Sequence, residues 1–237
     1  MYVTAIVLAA GKGLRLKSKI SKPLIKINSK PLIIYSLNVL GKHPYIKDII
    51  VVANPENLED IGNAIKLFRI DKIKGVVLGG EERQASVANG LRAMDNHTDL
   101  VLIHDAARTF IDKDTVSSVI KTAKSSGAAI VGVPVKATIK EVTSYQLPVT
   151  SKYIVKKTLD RSKLWEIQTP QVFNKSLILK AYDKFGDIDV TDDAMLVEKL
   201  GVKVSVVLGT YNNIKITTPE DLIVAQAIAK KLIKKRN

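Results

Sequence analysis

The stretch Leu8-Ala9-Ala10-Gly11-Lys12-Gly13-Leu14-Arg15 follows an apolar run at 3–7 and sets small residues ahead of spaced cations, Arg15, Lys17, Lys19 and Lys22. Small residues let backbone N–H groups come close to a phosphate, and the cations beyond would neutralise it. A tight βα turn without a ligand is the alternative. The third glycine of a dinucleotide fingerprint is missing, and so is the G-K-[ST] of a P-loop. A second glycine pair opens G-G-E-E-R-Q-A-S at 79–86, with Ser86 at the start of a helical pattern. Close backbone approach and a helix N-terminus suit a flat base carrying phosphates. The run V-L-I-H-D-A-A-R at 101–108 ends a strand on Asp105. A carboxylate there suits a hard cation such as Mg²⁺, or simply caps a loop. His104 reads as a buried hydrogen-bonding residue. Lys215 lies between Ile214 and Ile216; on a strand it would face away from both, into solvent or a cleft.

These groups need a frame. Apolar, β-branched runs at 4–8, 48–53, 75–78, 99–103, 128–133, 202–208 and 213–216 predict strands. Amphipathic stretches at 31–40, 58–68, 84–94, 114–125 and 176–185 predict the helices between them. That alternation implies βαβ units and a mainly parallel sheet. Pro31 suits a first helical turn and Gly41 a helix stop. The segment 136–164 breaks the rhythm: apolar residues alternate on both sides of Leu147-Pro148, which reads as a long hairpin. A lone two-stranded ribbon is marginal in water, so a second copy of the chain is expected to cover it.

Composition narrows the chemistry. The chain has 237 residues and no cysteine, which excludes disulfides, thiol catalysis and cysteine-based metal sites. His43, His97 and His104 are too scattered for a zinc centre. A net charge of +14 points to anionic partners, but an aromatic content of 5% argues against nucleic acid. The basic end, Lys230 to Arg236, complements the dipole of a last helical turn. No basic leader precedes the first apolar run and no stretch is long enough to span a bilayer, so a cytoplasmic enzyme without membrane contact is expected.

In order along the chain stand L-A-A-G-x-G-x-R, G-G-x-x-R-x-x-S-V-x-N-G-L, H-D-A-A-R, P-V-x-x-T-I-K, T-P-Q-x-F, T-D-D-A and N-I-K-I-T-T-P-E-D-L. The first is common to sugar nucleotidyltransferases. The combination resembles the 2-C-methyl-D-erythritol 4-phosphate cytidylyltransferase family over essentially the whole chain. The resemblance implies a Rossmann-like α/β fold, one domain over 1–237 with a β-arm at 136–164, and a homodimer made through that arm. It implies transfer of CMP from CTP to a sugar-alcohol phosphate in non-mevalonate isoprenoid biosynthesis, with Mg²⁺ and release of pyrophosphate. By the same resemblance Ala9, Ala10, Gly11 and Gly13 belong to the triphosphate loop, and Arg15 and Lys22 stabilise the transition state. Gly80, Glu81, Ser86 and Ala106 lie against the nucleotide, Asp105 near the metal, and Lys215 at the α-phosphate. Arg108, Thr138, Arg161 and Thr169 form the acceptor pocket, Arg161 serving the neighbouring subunit.

Such charge-managing residues suffice in principle. A phosphate oxygen is already a nucleophile, and positioned cations stabilise the charge gathered at the α-phosphorus. The chain departs from the family pattern at Ser21-Lys22-Pro23 (usually P-K-Q), Glu81 (aspartate), Thr109 (proline) and Ala137 (aspartate). Ala137 adjoins the acceptor set. The alternatives are a ribitol 5-phosphate cytidylyltransferase and a catalytically silent nucleotide-binding homologue. Ala107 and Ser86-Val87 favour methylerythritol phosphate over ribitol phosphate, and the full set of matched cations disfavours the silent reading.

Overall fold

The computed structural model describes residues 1–11, 13, 16, 20–146 and 151–234. The elements run β1 (Val3–Leu8), β2 (Lys26–Ile27), β3 (Lys30–Pro31), α1 (Leu32–Gly41), β4 (Ile46–Ala53), α2 (Leu58–Leu67) and β5 (Ile73–Leu78). They continue with α3 (Arg83–Arg92), β6 (Leu100–Asp105), α4 (Lys113–Ser126), β7 (Ala128–Pro134), β8 (Lys140–Gln146) and β9 (Ser151–Thr158). The last are β10 (Trp165–Asn174), α5 (Lys175–Phe185), α6 (Asp193–Lys199), β11 (Ser205–Leu208) and α7 (Pro219–Lys234).

Among the described residues seven strands form one sheet in the order β11-β7-β10-β6-β1-β4-β5. Every neighbouring pair is parallel except those of β10, which runs antiparallel to both β6 and β7. The fold is α/β and Rossmann-like, as the alternation of elements implies.

Strands covered on both faces are apolar almost throughout. In β6 every residue is buried, and side chains of β1 divide by parity. Ala5 and Val7 face a core built with Leu37, Ile61 and Val116, whereas Ile6 faces Val87, Ile178 and Leu196. Full burial of one such aliphatic side chain contributes about 1.5–3 kcal/mol. A smaller cluster packs Ala225 and Ala229 of α7 on Ile27, Leu32, Phe110 and Ile216. Helix α4 shows why its ends fall where they do. Asp112 accepts from the Thr115 amide at 2.8 Å, and Gly127 closes the helix in the left-handed region at φ 83°.

Several expectations need correction. Residues 213–216 are irregular rather than a strand, and the 202–208 run is extended only over Ser205–Leu208. Pro31 stands just ahead of α1, and Gly41 is the last residue of the helix, where the expected stop falls. A β-carbon at Gly41 would come 2.9 Å from the Asp71 carbonyl, so close approach also requires that glycine. Strand β10 and helix α6 are not among the expected elements, whereas α7 supplies the closing helix whose last turn the basic end was expected to complement.

Strands β8 and β9 pair antiparallel in a separate two-stranded sheet with Val142 opposite Val155 and Thr143 opposite Ile154. Val142, Tyr153, Ile154 and Val155 are exposed. Leu147-Pro148 lies outside the described residues. At the base of the hairpin Lys136 sits over the Tyr211 ring, 3.4 Å from its centre, and the Tyr211 hydroxyl donates to the Pro134 carbonyl at 2.7 Å.

Candidate active site

A cavity of about 730 Å³ opens beyond the carboxyl ends of β1, β5 and β6, where ligands sit in open parallel sheets. Its first wall is the loop after β1. The Ala9 amide donates to the Val52 carbonyl at 2.7 Å, so the loop leaves the sheet only beyond that point. Asn57, fully buried, donates to the Ala9 carbonyl at 3.0 Å and to Ser21 Oγ at 2.8 Å; Asn54 donates to the Ala10 carbonyl at 3.1 Å. Each of these asparagines also accepts the other's backbone amide. Gly13 adopts φ +63°, and a β-carbon there would sit 3.1 Å from Lys22 Cβ. The loop therefore folds back onto Lys22, which also lines the cavity.

The second wall is the turn after β5. A β-carbon at Gly79 would lie 2.6 Å from Ala10 Cβ and 2.7 Å from Ser86 Oγ, and one at Gly80 would lie 2.4 Å from Ala85 Cβ. Both glycines exist because this turn is pressed against the first loop and against α3. Ser86 accepts from the Gly80 amide at 3.1 Å and donates to the Glu82 carbonyl at 3.0 Å. Its hydroxyl thus shapes the turn that carries Gly80 and Glu81.

Asp105 ends β6 at the cavity floor, almost buried. Its Oδ2 lies 2.6 Å from Lys215 Nζ and its Oδ1 3.4 Å from Arg83 Nε. Burial alone would raise its pKa, but Arg83 and Lys215 outweigh that and hold the carboxyl well below the usual range. The Asp105 amide donates to Thr169 Oγ1 at 3.0 Å. Behind it His104 is fully buried, with Nε2 3.0 Å from the Arg108 carbonyl and Nδ1 3.0 Å from Thr169 Oγ1. A carbonyl only accepts, so Nε2 carries the hydrogen and Nδ1 receives the Thr169 hydroxyl. Burial pushes this imidazole down to about 4, so it is neutral in the native protein near neutrality.

The family model for 2-C-methyl-D-erythritol 4-phosphate cytidylyltransferase matches residues 3–231. The chain belongs to this cytidylyltransferase family. Relatives of that name from Alkaliphilus metalliredigens and Caldanaerobacter subterraneus subsp. tengcongensis are 45% and 44% identical. The first alignment covers 95% of this chain and 92% of the relative, the second 98% and 100%. The crystal structure of 4-diphosphocytidyl-2C-methyl-D-erythritol synthase from Anaerococcus prevotii superposes with a TM-score of 0.84 at 32% identity, covering 97% of this chain and 96% of that one. The Francisella tularensis 2-C-methyl-D-erythritol 4-phosphate cytidylyltransferase gives 0.78 at 32% identity, covering 96% and 100%.

Of the residues the family resemblance singles out, Ala9, Ala10, Gly11, Gly13, Lys22, Gly80, Glu81, Ser86, Asp105, Ala106 and Lys215 all line this one cavity. Arg15 lies outside the described residues. The acceptor set is placed differently and does not line the cavity. Arg108 is buried and donates from Nη1 to the Asn213 carbonyl and from Nη2 to the Ile167 carbonyl, both at 3.0 Å. Those bonds tie β10 to the segment that carries Lys215. Thr169 spends its hydroxyl on His104 and Asp105, as above. Thr138 and Arg161 are exposed at the hairpin base, where Arg161 donates to the Lys136 carbonyl at 2.8 Å. The Thr109 hydroxyl is buried without a hydrogen-bond partner among the described residues.

Residue-type reasoning passed over Asn54 and Asn57, which hold the first loop, and Arg83, which touches Asp105. The spacing Asn54-Pro55-Glu56-Asn57 directly after an apolar strand was a usable signal, because asparagine side chains readily organise such turns. Among the described residues no three histidine or acidic side chains gather as a metal site. One carboxylate, Asp105, at the floor of a glycine-lined cavity fits the way Mg²⁺ binds, through one or two carboxylates plus phosphates. No helix among the described residues is long and apolar enough to cross a membrane.

Proposed function

We infer that this cavity transfers CMP from CTP to 2-C-methyl-D-erythritol 4-phosphate, giving 4-diphosphocytidyl-2-C-methyl-D-erythritol and pyrophosphate. One observation carries the reading: the small-residue loop, the Gly79-Gly80 turn and the Asp105–Lys215 pair converge on a single cavity. A phosphate oxygen of the acceptor forms a bond to the α-phosphorus while the bond from that phosphorus to the β-phosphate bridging oxygen breaks. The electron pair leaves with pyrophosphate, so no protein base is required. The protein's work is to hold two anions together and neutralise the charge that builds between them.

In this reading loop amides and Lys22, with Arg15, grip the triphosphate, and the Gly80–Ser86 turn supports the cytosine. Lys215 sits within reach of the α-phosphate. Asp105 would hold Mg²⁺, which supplies neutralisation of the phosphate oxygens. Arg108 and Thr169 support the acceptor side through the frame they brace, and Thr138 and Arg161 belong to a pocket completed between subunits. The segment 136–164, whose β8 and β9 expose Val142, Tyr153, Ile154 and Val155, then serves as the arm of a homodimer, carried on one domain spanning 1–237. A cytoplasmic enzyme with small-molecule partners, without nucleic acid or membrane contact, completes the picture. The test is pyrophosphate release from CTP with a panel of acceptors that includes methylerythritol phosphate and ribitol 5-phosphate. Turnover with methylerythritol phosphate at least about tenfold above ribitol 5-phosphate, a difference of about 1.4 kcal/mol, is expected. The reverse order would overturn the acceptor assignment.

A further inference from the structure

The T-D-D-A stretch at 191–194 and the arginine of G-G-E-E-R have no part in the chemistry above, yet both lead to Asp105. Asp192 caps α6 by accepting the Met195 amide at 3.1 Å, and its other oxygen accepts from Gln171 Nε2 at 2.7 Å. Gln171 in turn accepts the Ala194 amide at 3.2 Å. The first turn of α6 is thereby pinned to β10, and Asp193 is fixed in the interior with a side chain only 1% exposed. Asp193 Oδ1 accepts from the Tyr182 hydroxyl at 2.6 Å, and Oδ2 from Arg83 Nη2 at 2.8 Å. Arg83 reaches Asp105 through a different nitrogen, and Asp105 reaches Lys215 through its other oxygen.

We propose that Arg83, anchored by Asp193 and Tyr182, is a positioning residue that fixes the Asp105 carboxylate and, through it, the Lys215 ammonium. The five side chains form a line, Tyr182–Asp193–Arg83–Asp105–Lys215, with acid and base alternating along its charged part. Each inner member is held from both sides, so none can rotate without leaving a neighbour uncompensated. The tighter of the two Arg83 contacts is the one to Asp193. That buried acid keeps the guanidinium from settling fully onto Asp105, which stays available to Lys215. A lysine could not do this, since only the planar arginine fork presents separate donors to two carboxylates in fixed directions. A point charge would choose one. The line also gives the T-P-Q and T-D-D-A motifs a shared purpose, because Gln171 and Asp192 set the helix turn on which Asp193 stands.

The proposal rests on the cytidylyltransferase reading for the reaction it serves, and on the contacts above for its geometry. Asp193→Asn keeps the shape of the anchor and removes its charge. We expect that variant to fold and to lose kcat about 10–100-fold in the pyrophosphate-release assay, the range typical of groups that orient a ligand from behind. Its dissociation constant for CTP, read by calorimetry without acceptor, should move less than about threefold, separating kcat from binding. Because Asp193 acts through Arg83, the double variant Arg83→Gln/Asp193→Asn should be no slower than Arg83→Gln alone. Wild-type kcat in folded Asp193→Asn, or multiplied losses in the double variant, would overturn the relay. If Asp193→Asn fails to fold, Tyr182→Phe decides, with a lowered kcat expected and an unchanged one refuting. If the wild-type protein turns over none of the acceptors, the functional reading falls separately. A crystal structure of Asp193→Asn, or of Tyr182→Phe if the former does not fold, then tests the relay without substrate. An Asp105 carboxylate turned from its wild-type direction supports it, and an unmoved one overturns it.

Discussion

Acid should loosen the floor of the cavity through one imidazole. His104 is held neutral in the fold at a pKa of about 4, against 6.5 for a free imidazole, chiefly by burial. A group whose folded pKa is lowered in this way stabilises the native state fully above 6.5. That contribution is lost steadily as the pH falls towards 4, because the unfolded chain binds the proton first. From 6.5 down to about pH 5 is one and a half pH units, worth about 2 kcal/mol at about 1.36 per unit. His43, also buried and lowered by desolvation, adds to the same window, so the wild-type curve alone does not isolate His104. Equilibrium urea unfolding of wild type and His104→Gln at about pH 8 and about pH 5 does, since His43 is common to both. The variant starts less stable because Gln cannot reproduce both ring hydrogen bonds, and the gap should narrow by about 2 kcal/mol at the lower pH. Parallel stability curves would refute the reasoning. The carboxyl of Asp105, held low by Arg83 and Lys215, keeps its full stabilising contribution above the ordinary carboxylate range and loses it only in more acid solution.

Gly79→Ala forces a β-carbon to within 2.6 Å of Ala10, so it should cost about 1–3 kcal/mol of stability as overpacking does. Thermal melting together with CTP calorimetry checks this, and full CTP affinity would mean the two walls are not interlocked. Lys22→Ala should lower kcat about 10²–10³-fold with a smaller change in CTP affinity, as removal of a transition-state donor does; a pure affinity loss would make Lys22 a ground-state anchor. If the proposed dimer shares its sites across the arm, co-expressed Arg15→Ala and Arg161→Ala chains should regain activity, since a mixed dimer would keep one intact site. Heterodimers as inactive as either parent would place the whole site within one chain.

How far these features could be read from residues alone depends on the range of the interactions that define them. Strands β1, β4 and β6 are continuous apolar runs and helices α1 to α5 carry their own periodicity, so local pattern located them. Strand β10 hides because Gln168, Thr169 and Gln171 are polar at buried positions with Pro170 among them; the groups that satisfy them, His104 on β6, Asp192 ahead of α6 and Asn213, are distant in sequence. Residues 213–216 mislead in the opposite sense. Ile216 looks like a strand residue, but it is buried in the cluster under α7 while its amide donates to the Ala107 carbonyl at 2.9 Å. In the candidate site, Ala9, Gly80 and Asp105 were legible as lining residues because small residues and a carboxylate directly after apolar runs mark strand ends. The supporting pairs were not. Asn57 and Ala9 are 48 residues apart, and Arg83 and Asp193 are 110 apart.

The cavity is assembled from the ends of β1, β5 and β6 together with Lys215, which reaches Asp105 from the far end of the sequence. Parallel neighbours such as β1 and β6 must close a long loop before they can pair, and that closure entropy is met before any contact repays it. On the ribosome the consequence is temporal. The sheet around β1 can begin to consolidate once β6 has emerged, but Asp105 has no lysine partner until residue 215 follows. A growing chain therefore carries an incomplete cavity through most of its synthesis, and under the proposed function CTP can act as a folding ligand only for nearly finished molecules.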